Sequence, residues 1–153
     1  MAEMMTDAEI QSVLGDLFRS QRYAVLATDQ RGQPFTSLMA FAASEDLAQL
    51  VVLTDRAARK FANLKANSRV ALLIDNRENK GSDTQESVAV TAIGEAEELD
   101  ALADAHLLQL YLARHPYLAA FAASPSCAIV RVKVSSYQLV SRFQEVVEWH
   151  VGS

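Results

Sequence analysis

The chain has 153 residues, half of them hydrophobic and 22% charged, so it can bury the core of about one domain and is not expected to be disordered. Its net charge of -5 argues against a nucleic-acid-binding protein, because such a protein needs a basic face. The single cysteine, Cys127, excludes an internal disulfide framework and any metal site that needs several cysteines.

The N-terminal segment has no targeting features. Residues 1–7 carry neither the basic nor the apolar part of a secretory signal. No apolar run in the chain approaches the ~20 residues of a membrane-spanning helix. We therefore expect residues 1–153 to form one soluble, cytoplasmic domain with no membrane partner and no nucleic-acid partner.

The first predicted element is an amphipathic helix that ends near Ser20. Thr6 or Asp7 can cap its N-terminus. Its apolar residues recur with the spacing of one helix face: Ile10, Val13, Leu14, Leu17 and Phe18.

Three strand-like runs follow the helix, at residues 23–28, 35–43 and 47–54. Turn signals separate them at residues 29–32 and 45–46. Because these connections are short, the three runs predict an antiparallel meander.

The middle of the chain predicts a short helix at residues 56–65 and a strand at residues 69–75. That strand is apolar on both faces, which is typical of a barrel wall covered by a helix or by a partner subunit. Residues 76–86 have no apolar side chain and predict an exposed loop, and residues 88–97 predict another strand.

The last third of the chain predicts a helix from Leu99 that stops at His115, where an imidazolium would interact favourably with the helix dipole. A helical turn at residues 117–123, a long strand at residues 128–141 and a short strand at residues 146–149 follow. Together the elements predict an α+β fold, a small antiparallel barrel of about six strands with flanking helices.

The junction between the third strand and the short helix, residues 53–60, contains the strongest candidates for ligand-binding residues. Thr54 supplies a hydroxyl, and Arg56, Arg59 and Lys60 place three cations in the first turns of the predicted helix. Cations there are unfavourable by up to about 1 kcal/mol each, and a bound anion reverses the sign. The five glycines are too scattered for a glycine-rich phosphate loop, so the helix N–H groups and these cations predict a phosphate site of another kind. The alternative is a solvated helix whose Arg59 and Lys60 point into water.

Several segments occur together in an informative order. They are Ala24-Val25-Leu26-Ala27-Thr28, Gly32-Gln33-Pro34-Phe35-Thr36-Ser37, Leu53-Thr54 through Arg59-Lys60, Asn63-Leu64 and Asn67-Ser68-Arg69-Val70-Ala71-Leu72-Leu73. Over about residues 22–99, half of the chain, they resemble the pyridoxamine 5'-phosphate oxidase-like family, and residues 137–149 are similar to the end of members outside the true oxidases. The resemblance implies an FMN-binding split β-barrel, usually a homodimer with the flavin at the subunit interface.

The resemblance also assigns flavin contacts to particular positions. Arg59 and Lys60 match the residues that hold the FMN phosphate, and Thr54 matches the hydroxyl at the end of the preceding strand. The strand whose backbone passes the isoalloxazine ring corresponds to Thr36, Ser37, Leu38 and Met39. Trp149 matches a C-terminal aromatic residue that packs near the flavin in relatives.

Two departures separate the chain from the true oxidases. Ala89 stands where the oxidase has a flavin-contacting glutamine, on the strand after the polar loop. Residues 149–153 do not match the longer oxidase tail, which ends with an arginine and a histidine for the substrate phosphate. We therefore do not expect pyridoxine phosphate or pyridoxamine phosphate as the substrate.

The expected function is FMN binding by a homodimer, with flavin-dependent oxidoreductase activity on an unknown small-molecule substrate and with catalytic residues unassigned. Two alternatives stay open: a non-enzymatic flavin- or haem-binding module, and a relative that uses a deazaflavin. A haem would take a histidine ligand from His106, His115 or His150. None of these histidines has the spacing of a helical metal pair, so no metal site is expected.

Overall fold

The computed structural model describes residues 5–141 and 145–152, within which five α-helices flank one antiparallel sheet of eight strands. The helices are α1 (Asp7–Ser20), α2 (Arg59–Ala66), α3 (Asp83–Glu86), α4 (Ala105–Arg114) and α5 (Ala119–Ala122), and a 3-10 turn (Pro116–Leu118) leads from α4 into α5. The strands are β1 (Tyr23–Gln30), β2 (Gln33–Ala40), β3 (Ala42–Ala43), β4 (Gln49–Asp55), β5 (Arg69–Asp75), β6 (Ala89–Glu98), β7 (Cys127–Ser141) and β8 (Glu145–His150). None of the described helices is both long and apolar enough to cross a membrane.

The order of the strands requires the sheet to curl. β2 and β3 lie at opposite ends of the order β2-β1-β5-β6-β7-β4-β3, with β8 added beside β7. In the chain, Phe41 alone separates β2 from β3. Because consecutive Cα atoms are only about 3.8 Å apart, the two ends of the sheet must meet. The curled sheet forms a half-barrel around a buried apolar core, which confirms the predicted α+β split barrel, with eight strands rather than about six.

Both antiparallel connections of the predicted meander are present, although the second run is divided at Phe41 into β2 and β3. β1 and β2 pair directly, and their two-residue turn has the positive φ angles of a type I′ turn, 50° at Arg31 and 88° at Gly32. The third run, β4, pairs with β3, which is the end of the predicted second run, and along its whole length with β7, which lies far away in the sequence. Phe41 is fully buried where the chain passes from one end of the sheet to the other. A turn signal predicts that the chain reverses, but it does not identify the partner of the next strand.

Helix α1 has the predicted bounds because its signals are local. The hydroxyl of Thr6 accepts a hydrogen bond from the N–H of Glu9 at 3.1 Å, which caps the helix. Helix α2 begins three residues later than predicted. The carboxylate of Asp55 accepts a hydrogen bond from the N–H of Ala57 at 2.7 Å, so a turn precedes α2 and Arg56 lies outside the helix.

The start of α4 is also later than predicted, and for the same reason. The carboxylate of Asp100 accepts backbone N–H groups from the following residues, so α4 starts at Ala105 and Leu102 is left 91% exposed. The predicted loop at residues 76–86 contains the single-turn helix α3, whose Asp83 carboxylate accepts two N–H groups of that loop.

Strand β4 and the first part of β7, residues 127–130, are buried on both faces. Val52 and Val130 face the core of the half-barrel, whereas Leu53 and Ile129 pack in a second apolar cluster with Tyr111 of α4. Strand β5 differs, because the side chains on its second face, at Ala71 and Leu73, are only half-buried. A groove of about 770 Å³ lies along this outer face.

Candidate functional site

A cavity of about 370 Å³ lies where β2, the junction between β4 and α2, and the corner between α4 and α5 come together. Its apolar lining includes Leu38, Met39, Tyr111, Tyr117 and Phe121. Its polar lining, at the junction, is Thr54, Asp55 and Lys60. The volume falls in the range of small-molecule sites, about 300–1,000 Å³, and such sites typically combine apolar walls with a few polar groups.

The junction between β4 and α2 leaves the start of the helix uncapped. Ala58 occupies the N-cap position, where it offers no side-chain hydrogen bond, and the first turn of α2 has no acidic residue. Thr54 is buried beside it and donates its hydroxyl to the carbonyl of Asp55 at 3.3 Å. The first N–H groups of a helix have no partner inside the helix, so this end of α2 favours an anion.

Four cations lie on or next to α2, and they divide into two pairs. Arg56 and Lys65 both form ion pairs with Glu98, Lys65 at 3.7 Å. Arg59 and Lys60 have no carboxylate partner among the residues that the structure describes. The two cations that the resemblance assigns to a phosphate are therefore the two whose charge is left uncompensated.

A buried hydrogen bond holds α2 against the first hairpin. The side-chain amide of Asn63 donates to the hydroxyl of Thr28 at 3.1 Å, and both side chains are buried. Phe61 and Leu64, on either side of Asn63, enter the core of the half-barrel. Sequence reasoning did not assign Asn63 this role; the available signal was one amide between two apolar residues of an inward helix face.

Two of the four β2 residues that the resemblance assigns to the flavin strand line the cavity. Leu38 and Met39 line the cavity. Thr36 is exposed and Ser37 is half-buried, and neither side chain lines the cavity. The predicted contact of Thr36 and Ser37 with the flavin ring is through the backbone of the strand, and it stays a prediction.

The backbone of β2 offers a further set of polar groups. Among the described strands, β2 pairs only with β1, so one of its edges is unpaired. In a two-residue hairpin the residues next to the turn exchange both hydrogen bonds, and alternate residues continue this pattern. Ser37 and Met39 thus bond to β1, whereas the N–H and C=O groups of Thr36 and Leu38 point to the open edge. Ala40 has the same orientation, and its carbonyl accepts the hydroxyl of Tyr111 from the cavity wall at 3.4 Å.

Trp149 lies apart from the other predicted residues. It is buried in the core of the half-barrel and stacks on Tyr137, with ring centroids 6.0 Å apart and an angle of 7° between the ring planes. Its indole N–H has no hydrogen-bond partner in the part of the chain that the structure describes. The structure does not bring Trp149 to the cavity that Thr54 and Lys60 line.

Three tyrosines contribute to the cavity, and the sequence analysis assigned none of them to the site: Tyr23, Tyr111 and Tyr117. Tyr23 and Tyr117 are exposed at its edge, together with Leu38. A hydrogen bond with Tyr23 raises the pKa of Tyr117, and burial raises the pKa of Tyr111. These phenols therefore keep their protons at neutral pH.

The three histidines lie outside the cavity lining. His115 is the C-cap of α4, so the helix stops where the sequence predicted. It is fully buried, donates Nε2–H to the carbonyl of Phe41 at 2.7 Å and packs against Tyr111, with ring centroids 4.8 Å apart. His106 and His150 are exposed. Within residues 5–141 and 145–152, no group of three or more histidine, cysteine or acidic side chains could hold a metal ion.

Comparison with known proteins gives a family and a set of similar folds. A family model described as "Pyridoxamine 5'-phosphate oxidase" matches residues 10–141. No curated protein matches the chain.

Solved structures of low sequence identity share the fold. A haem-binding protein from Mycobacterium smegmatis is similar with a TM-score of 0.81 at 16% identity, over 97% of this chain and 60% of that one. General Stress Protein 26 from Bacillus anthracis has a TM-score of 0.69 at 16% identity, over 92% and 98% of the two chains. An FAD-binding protein from Mesorhizobium loti has a TM-score of 0.65 at 21% identity, over 84% and 90%. The chain thus spans about three fifths of the length of the haem-binding protein.

Proposed function

The chain belongs to the pyridoxamine 5'-phosphate oxidase family, and we propose that it binds FMN in the cavity between β2, α2 and the α4–α5 corner and acts as a flavin-dependent oxidoreductase. The observation that carries the proposal is the uncompensated pair Arg59 and Lys60 at the uncapped start of α2. A phosphate monoester supplies the missing negative charge, and hydrogen bonds between such charged groups are among the strong ones. Lys60 lines the cavity, whereas Arg59 lies next to it in the chain and outside the lining, and the apolar walls of the cavity suit the flavin ring of the same molecule.

Each part of the site has a binding role in this proposal. Lys60 and Arg59 hold the phosphate, with Thr54 as a neutral hydroxyl beside it. The open edge of β2 presents the N–H and C=O groups of Thr36 and Leu38 to the polar edge of the ring. Bound flavin would supply hydride or single-electron transfer, while the chain fixes its position and its exposure to water. The substrate and the catalytic residues are unassigned, and we propose a cytoplasmic location.

A second copy of the chain is part of the proposal. Leu73 and Ala71 on the outer face of β5 are half-buried, and the exposed Ile93 of β6 borders the groove of about 770 Å³ on that face. Exposed apolar side chains on one face are one mark of an interface, and the charged Arg69, Glu95 and Lys133, which line the same groove, offer polar contacts to a partner. We propose that a partner subunit covers this face in a homodimer and completes the open side of the flavin site.

A haem-binding module is the second candidate, favoured by the similarity to the haem-binding protein from M. smegmatis. The cavity chemistry supports it less well. A haem iron takes an imidazole, thiolate, thioether or phenolate ligand, and no histidine lines the described cavity. The raised pKa values of Tyr111 and Tyr117 disfavour a phenolate ligand there.

The first experiment is the visible absorption spectrum of the purified protein before and after addition of FMN, followed by gel filtration. A flavin band that travels with the protein supports the proposal. A protein that stays colourless with FMN but gains a Soret band with haem contradicts it and supports the second candidate. Competition between FMN and a deazaflavin during dialysis tests the remaining alternative, that the protein uses a deazaflavin in place of FMN.

Matched variants then test the phosphate site. In Arg59→Ala/Lys60→Ala, the affinity for FMN should fall to that for riboflavin, which lacks the phosphate, while the fold is retained. Arg56→Ala/Lys65→Ala removes the same number of charges from the same segment, but those charges already pair with Glu98. The control should keep the preference for FMN. Equal binding of FMN and riboflavin by the unmodified protein would rule out the phosphate role.

A further inference from the structure

Two side chains of α2, one turn apart, contact two directly paired residues of the first hairpin. Arg59 places its guanidinium carbon over the ring of Phe35, 4.9 Å from the centroid. Asn63, four residues later and on the same helix face, hydrogen bonds Thr28. Thr28 and Phe35 are cross-strand partners in the β1–β2 hairpin. The start of α2 is therefore held against one defined position of the hairpin.

The contact with Phe35 leaves the hydrogen-bonding capacity of Arg59 available. A guanidinium has five N–H donors in a planar fork, and its attraction to an aromatic ring uses no acceptor. No carboxylate among the described residues pairs with Arg59, and its side chain is exposed. Arg56 differs, because it is engaged with Glu98 and with the carbonyl of Pro125.

We propose that Phe35 is a positioning residue of the phosphate site, which holds the Arg59 guanidinium in place before the ligand arrives. This inference rests on the proposed FMN site. A long arginine side chain loses much rotamer freedom when it is fixed by a ligand. If the ring of Phe35 already restricts the rotamers of Arg59 in the free protein, less conformational entropy is lost when FMN binds, and FMN binds more tightly. Riboflavin has no phosphate for Arg59 to bind, so its affinity does not depend on Phe35.

The size of the effect follows from the exposure of the pair. Cation–π contacts at exposed sites contribute about 0.5–1 kcal/mol, which corresponds to a change of about two- to five-fold in a dissociation constant. Phe35→Leu should therefore weaken FMN binding by about two- to five-fold and leave riboflavin binding unchanged. Phe35→Tyr keeps an aromatic ring and should restore the unmodified ratio of the two dissociation constants.

The test measures dissociation constants for FMN and riboflavin by flavin fluorescence in the unmodified chain, Phe35→Leu, Phe35→Tyr, Arg59→Ala and the Phe35→Leu/Arg59→Ala double variant. Support requires a smaller FMN preference in Phe35→Leu, its recovery in Phe35→Tyr, and no further loss when Phe35→Leu is added to Arg59→Ala. An equal loss for both flavins in Phe35→Leu, or an unchanged ratio, overturns the inference while the FMN site stands. If the unmodified chain binds neither flavin, the proposed function and this inference are both overturned.

Discussion

The buried hydrogen bond between Asn63 and Thr28 gives the most direct test of how the phosphate-binding helix is held. We expect Asn63→Leu and Thr28→Val each to lower the free energy of unfolding by about 1–3 kcal/mol, because each leaves one polar group without a partner. We expect the full cost of an unpaired buried polar group, because Asn63 is only 4% exposed and Thr28 only 5%, so water cannot replace the lost partner. With a typical urea m-value of about 2 kcal/mol/M, the midpoint should fall by about 0.5–1.5 M.

The double variant separates the hydrogen bond from simple loss of packing. Asn63→Leu/Thr28→Val removes both polar groups, so no buried group is left unpaired and the combined loss should be smaller than the sum by about 1 kcal/mol or more. The assay is urea unfolding of flavin-free protein at one fixed concentration, followed by far-UV circular dichroism. Additive effects would refute the assigned hydrogen bond.

The same variants have a functional readout. Arg59 lies one turn before Asn63 on α2, so a helix released from Thr28 should position its cations less well. We expect the ratio of FMN to riboflavin affinity to fall in Asn63→Leu. A ratio equal to that of the unmodified protein would show that α2 is held in place without this bond.

Three further outcomes follow from other parts of the fold. Gly94→Ala should destabilise the protein by about 3 kcal/mol or more in thermal or urea unfolding, because a Cβ there would overlap a backbone carbonyl of β7. Gly81→Ala is the control and should be nearly neutral, because a Cβ there meets nothing within 4 Å. Equal losses of stability in the two variants would contradict this reasoning. Ile93→Lys places a charge in the proposed subunit interface and should give a monomer in analytical ultracentrifugation; a dimer that persists would move the interface elsewhere. Hydrogen bonds from Ser44 and from a backbone N–H lower the pKa of Asp46 below its ordinary 3.8, so its contribution to stability is complete above that value and is lost as the pH falls through the lower folded pKa. Asp46→Asn should therefore be less stable than the unmodified protein at pH 6 and closer to it at pH 3, and a constant difference would contradict the shift.

Much of the secondary structure could be predicted from sequence because its signals are local. The cap at Thr6 and the apolar spacing of α1 act within one or two turns, and alternation along residues 128–141 identified the long strand β7. The late starts of α2 and α4 show where that reasoning fails. The Asp55 and Asp100 carboxylates bind nearby N–H groups, and this competes with the helix although both residues also suit a helix start.

The candidate site was predicted in part. The order of the motifs identified Leu38, Met39, Thr54 and Lys60, which line one cavity. Tyr111 and Tyr117 also line it, but they come from a helical corner distant in the sequence, and no spacing rule connects them to β2. Trp149 does not line this cavity, because the pairing of β8 with β7 directs its side chain toward Tyr137 in the core; its predicted contact with the flavin stays a prediction.

Most helices and strands, and the gathering of cations near α2, can be predicted from the sequence. The fold shows which of those cations lack an acidic partner. Glu98, at the end of β6, neutralises Arg56 and Lys65 across more than 30 residues of chain, and within residues 5–141 and 145–152 no carboxylate pairs with Arg59 or Lys60. Capping and periodicity depend on spacings of a few residues, whereas charge pairing and cavity lining depend on contacts that form only when the sheet curls until β2 meets β3.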